Sequence, residues 1–182
     1  MAWTAPMTAV SGSVFTAAQF NQFVRDNLNE TAPAKATATG GYFAVDGANS
    51  IAERHTSGAL DTGSGTTTST SFTDLDGPAL AGPAVTATTG TAAIVIVHGT
   101  IANSGTGSAR MAYDVSGAST VAAADNRGIG IFGVAGVSLV AGTTVLHVAG
   151  SLTAGSNTFT AKYRVSSGTG TFSARRIAVF PL

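Results

Sequence analysis

The chain has 182 residues, no cysteine, and nine basic residues against nine acidic ones. It therefore has no disulfide staple or thiolate metal site. Beyond the adjacent Arg175-Arg176 it has no basic cluster of the kind phosphate binding requires, which excludes nucleic acid as a main ligand. Charged residues make up only 10% of the chain and hydrophobic residues 44%, where a soluble domain typically carries about 25% charged residues. A core can form, and much of the surface must be Ser, Thr, Gly and Ala, as suits a chain that buries part of itself against copies or partners.

The opening MAWTAPMTAV lacks the basic and apolar regions of a secretory signal. No run approaches the roughly 20 apolar residues of a membrane span. The expectation is a chain made in the cytoplasm, without membrane insertion. Thr16 with Gln19 three positions later forms a capping box, and Phe15 with Phe20 forms a hydrophobic staple. These signals predict a helix over about 16–29, with a cap that stabilises it by about 1 kcal/mol, ended before Pro33. Its apolar positions, Phe20, Phe23, Val24 and Leu28, are spaced to form one stripe. A helix this short is marginal alone in water, so the stripe must dock on its own β domain, on copies or on a partner. The small, polar linker APAKATATGG (32–41) favours docking elsewhere. A hairpin is predicted at about 42–54, turning near Asp46-Gly47. Alone it too would be marginal.

ALDTGSGTTT (59–68) reads as a flexible boundary, giving an N-terminal segment 1–58 and a β domain 59–182. Eight strands are predicted near 68–75, 83–88, 92–102, 109–116, 128–140, 143–150, 157–166 and 171–180. Turn signals separate them, among them Asp76-Gly77-Pro78, Ser116-Gly117 and Ala141-Gly142. The run AIVIV (93–97) is apolar at every position, as in a strand covered on both faces. By contrast, Phe159, Ala161, Tyr163 and Val165 alternate with polar residues, as in a strand with one wet face. The expected fold is mainly β: an eight-stranded antiparallel jelly-roll sandwich preceded by a short N-terminal α-helix and a hairpin.

No chemistry stands out. Residues 128–133 match GxGxxG, but the β-like run VAGVSLV follows where a nucleotide site needs a helix. The better reading is a Gly-containing strand in a crowded place. His55, His98 and His147 show no metal-ligand spacing. There is no GxSxG or HExxH, and the aspartates fall mostly at turns. No catalytic residue, cofactor or metal is expected. Lys162, Arg164, Arg175 and Arg176 would line one ridge if the last two strands paired. They are candidate ligand-facing positions, with ordinary solvated positions as the alternative.

Trp3 followed by VSGSVFTAAQFNQFVRDNLNE (10–30) resembles the N-terminal module of tailed-bacteriophage virion proteins, especially those of phages of actinobacteria. Gly12, Thr16, Ala17 and the run Val24-Arg25-Asp26-Asn27-Leu28-Asn29 stand at matching positions, with Ser11 where Thr is usual. GGYFAVDGANSIAER (40–54) is similar to the hairpin that often follows, and 152–182 to the closing strands of the trimeric jelly-roll domains of such proteins. The resemblance implies a non-enzymatic minor tail, fibre or capsid decoration protein located in the virion. Its N-terminal segment would anchor it to other virion proteins, and it would form a homotrimer with host-surface glycan contact as a further role. Trp3, Phe15, Phe20, Phe23, Val24 and Leu28 would make the anchoring or oligomer contacts. The alternative is a carbohydrate- or receptor-binding jelly-roll module. Such modules usually present aromatic platforms, yet Trp3 is the sole Trp and lies outside the β domain.

Overall fold

The computed structural model describes residues 3–76 and 82–182, and among them the chain is mainly β, with eleven strands and short helices near its N-terminus. The chain divides into two units, Met1–His55 and Thr56–Pro181, the first of which also takes in Leu182.

In the first unit the helix starts as its capping signals require. Gln19 N donates to Thr16 Oγ1 at 3.2 Å, and Thr16 N donates to Gln19 Oε1 at 2.9 Å. The helical stretch is α1 (Ala17–Phe20), a π turn (Asn21–Arg25) and α2 (Asp26–Asn29), followed by the short α3 (Ala32–Lys35) with Pro33 in its first turn. The expected linker thus holds a helical turn. β1 (Tyr42–Gly47) and β2 (Ser50–Arg54) pair as the predicted hairpin, with Asn49 left-handed at φ 54°. Glu53 accepts hydrogen bonds from Thr37 N and Ala38 N, and Lys35 Nζ donates to Ile51 O. These bonds fasten the hairpin to the segment before it.

The second unit contains β3 (Ser57–Asp61), β4 (Gly65–Thr67), β5 (Ala84–Thr89), β6 (Ala93–Asn103), β7 (Ala109–Gly117), β8 (Ile129–Ile131), β9 (Ser138–His147), β10 (Gly155–Val165) and β11 (Gly170–Pro181). One sheet has the order β5-β10-β7-β8. The other has the order β3-β11-β6-β9, with the short β4 also on β11. Renumbered one to eight without β4, the strands run 1-8-3-6 and 2-7-4-5, which is the order of a jelly roll. The side chains facing inward from both sheets form one core, including Val95, Val97 and Ile101 of β6, Phe159 and Tyr163 of β10, and Phe172 and Ile177 of β11. Fully burying a Val, Ile or Phe contributes about 1.5–3 kcal/mol, so this layer carries most of the fold's stability.

Several strand assignments differ from expectation. Residues 68–75 form no strand but pair with β10 through an isolated bridge at Thr73 to Tyr163 and a bond from Val165 N to Ser69 O, and the first strand of the roll is β3, inside what reads as a flexible boundary. The expected strand at 128–140 is two, β8 and β9, joined by a loop. The expected turn at Ala141-Gly142 lies inside β9. There Gly142 stands opposite His98, and a Cβ on it would come 3.4 Å from the His98 ring. The expected turn at Asp76-Gly77-Pro78 falls largely outside the described residues. β6 is not covered on both faces: Ala93, Val95 and Val97 are buried, whereas Ile94 and Ile96 are only partly so.

Candidate functional site

The aromatic residues of the first unit fall into two groups. The π turn adds a residue to one helical turn, so the predicted stripe is offset across it. Phe20 packs edge-on against Phe15, ring centroids 6.1 Å apart, and both are about half exposed. Trp3, Phe23, Val24 and Leu28 instead line a shallow cavity of about 270 Å³, with Leu28 at the rim, 61% exposed. Asn27 brings Trp3 there. Its buried amide accepts from Thr4 N at 2.9 Å and donates to Thr4 O at 2.8 Å and to Phe23 O. This two-way clamp lays the extended N-terminal segment along the helix, while Trp3 N donates to Asn49 O of the hairpin turn. No apolar periodicity could have revealed the role of Asn27. It does stand within VRDNLN, the run that carries the resemblance.

The four basic candidates do not form a ridge, because β10 and β11 belong to different sheets. Lys162 and Arg164 point outward from β10, and both are paired. Lys162 Nζ lies 2.9 Å from Asp74 and 3.7 Å from Asp114. Arg164 donates to both oxygens of Asp125, and Arg110 Nε lies 3.4 Å from the same carboxylate. Hydrogen bonding to Arg164 holds the Asp125 carboxyl below the usual range, whereas burial pushes Asp114 up. Arg176 is exposed on the outside of the other sheet.

Arg175 is not ligand-facing; it is fully buried. A bulge between Ser173 and Arg176, with Ala174 at φ 46°, resets the alternation of β11 and turns Arg175 into the core. Its guanidinium lies 2.5 Å from Asp61 Oδ2 and 3.3 Å from the hydroxyl of Tyr163. Burial pushes the Tyr163 phenol up to about 12. A buried cation is tolerated only when paired, and Asp61, from the unexpected β3, supplies that partner.

His98 and His147 do not converge: His98 faces outward from β6, and His147 faces inward from β9. His147 Nε2 shares a 2.7 Å hydrogen bond with the Tyr113 hydroxyl, and burial holds the imidazole below its ordinary value. It borders a cavity of about 440 Å³ lined also by Val121, Asn126, Arg127 and Ser151. GxGxxG is part of β8 and its flanks, and a Cβ on Gly128 would sit 2.0 Å from Met111 O. Crowding by backbone accounts for that glycine. Among the described residues no group of three or more His, Cys, Asp or Glu could hold a metal, and no helix is long and apolar enough to cross a membrane.

No family model matches the chain, and no curated sequence is similar to it. Among solved structures it is similar to the Eiger TNF of S. frugiperda, at 11% identity and TM-score 0.45, over 70% of this chain and 91% of that one. It is also similar to an isomalto-dextranase of Arthrobacter globiformis T6 complexed with panose, at 18% identity and TM-score 0.31. That match spans 79% of this chain but only 24% of the enzyme. The jelly roll itself rests on the sheet order, not on these likenesses.

Proposed function

We propose that this protein is a non-enzymatic structural component of a phage virion. In this reading its first unit anchors it to the particle, and its jelly-roll unit assembles as a homotrimer in a fibre, minor tail or decoration role. The observation that carries the reading is the first unit. A capped helix, an Asn27-clamped N-terminal segment and a fastened hairpin leave Phe15, Phe20, Trp3 and Leu28 open to solvent. Such a set of exposed apolar groups on a small, tied-down unit is what a docking module offers. VRDNLN lies at its centre, and one member, Asn27, has a definite structural duty there.

The test is incorporation into particles assembled in the host. Phe20→Asp combined with Leu28→Asp leaves the capping box and the Asn27 clamp in place. The doubly substituted protein should remain soluble and be missing from purified virions. Normal incorporation would contradict anchoring by this unit.

One observation favours a second role in host-surface contact. The cavity beside His147 sets Asn126, Arg127 and Ser151 among the aliphatic Val121, Leu146 and Val148, a mixed lining suited to the polar and apolar faces of a sugar. A glycan array with the full chain tests it: specific binding lost in Asn126→Ala supports the role, and an empty array removes it.

A further inference from the structure

Alternation puts every second side chain of the β3-β11-β6-β9 sheet on its outside. Those of β6 include Ile94 and Ile96, those of β11 Ala178 and Phe180, and those of β9 Val140 and Leu146. The register sets them side by side: Phe180, Ile94 and Leu146 form one row, and Ala178, Ile96 and Thr144 the next. Among the described residues the only Lys, Arg, Asp or Glu on the four long strands of this face is Arg176, between Leu60 and His98, with Asp76 exposed at the β4 margin opposite Thr66. β9 is the free edge of the sheet, ten residues long, with no charge or proline to block pairing. The loop that leads into it from β8 exposes Phe132, Val134 and Val137 as well. Apolar patches that continue from a face around an edge are rare on proteins that stay single.

We infer that the outer face of the β3-β11-β6-β9 sheet seats another copy of this chain, whose β9 edge and 132–137 loop pack against it. The inference rests on the homo-oligomeric part of the proposed function and is independent of the virion role. Two features select a copy over a foreign partner. The face and the edge are two unlike, uncharged surfaces on one domain, so each copy carries the complement of both. Contact between unlike surfaces is head-to-tail and gives a ring when the rotation between copies closes, whereas a face-to-face pair would leave the β9 edge uncovered. The extent also fits: a stable interface uses about 20 residues a side, and the outward positions of β3, β11, β6 and β9 with the 132–137 loop are of that order.

The test is light scattering of the full chain and its variants. The unmodified protein and Thr88→Lys, on the opposite sheet, should both run at about 54 kDa, three chains of 17.9 kDa. Ile96→Lys should fall to the mass of one chain while keeping a cooperative unfolding transition. Leu146→Lys carries the same expectation; it is exposed in one chain, so a lysine there has little cost to the fold. An assembled unmodified protein with both variants still assembled would overturn the choice of face and leave the oligomeric reading intact. A single chain in the unmodified sample would overturn both.

Discussion

Lys162 and Ile96 occupy equivalent places, outward positions on inner strands of the two sheets, yet their surroundings are opposite. Around Lys162 the outer face is a ladder of ion pairs, Lys162 with Asp74 and Asp114, and Arg164 and Arg110 with Asp125. Around Ile96 it is a field of aliphatic and aromatic groups, with Arg176 its sole charge on β3, β11, β6 and β9 among the described residues. Inward, both sheets bury aliphatic and aromatic side chains in one core, with the Arg175–Asp61 pair as the charged exception. The asymmetry is therefore no requirement of the fold. An outward Ile contributes little to a core on the other side of its sheet, and the proposed contact with another copy accounts for its place.

The largest effect should come from neither face but from the layer between them. Asp61→Asn leaves Arg175 buried and uncompensated, and breaking such a pair costs about 3–5 kcal/mol. Urea unfolding checks this. A loss below about 1 kcal/mol would mean that Arg175 escapes to water and the core is looser than it looks.

Next comes Tyr113→Phe, which removes the partner of a buried imidazole and should cost about 1–3 kcal/mol. His147 also makes stability depend on pH. Burial lowers its pKa in the folded state from the ordinary 6.5, so above about pH 6.5 both states are neutral and its contribution is complete. As pH falls below that, the unfolded chain takes up a proton that the folded chain resists, and stability declines. Unfolding between pH 7 and 5 should show this slope, and His147→Leu should flatten it.

The charged face should give the smallest changes. Asp125 is partly exposed, so Asp125→Asn should cost no more than about 1 kcal/mol, and the difference should fade in high salt. Its lowered pKa means the contribution is present above the ordinary carboxylate range and lost as pH drops through the folded value. A loss that salt does not reduce would show that these pairs are more than a solvated surface.

Much of the fold was legible in the sequence because local signals agreed with the tertiary result. The Thr16–Gln19 box and the Phe15–Phe20 staple appear as predicted. β6, β7, β10 and β11 begin and end within two residues of expectation, since period-two burial matches their pattern. β3 was hidden because SGALD has no β-branched or large aromatic residue, and its place comes from pairing with β11. Gly142 reads as a turn but lies inside β9, held there by pairing with His98 of β6. Arg175 read as outward because alternation cannot anticipate a bulge two residues earlier. AIVIV reads as covered on both faces, and this difference matters most. Within one chain it is fully covered on one face only, and in the proposed assembly a second copy supplies the other cover.

The most direct measurement is hydroxyl-radical footprinting of the full chain at a concentration where it is assembled. Val140 and Leu146 are 65% and 59% exposed in a single chain. The account predicts that both are labelled as weakly as core residues such as Val95. Strong labelling of Val140 and Leu146 would mean that nothing covers this sheet, and would contradict the account.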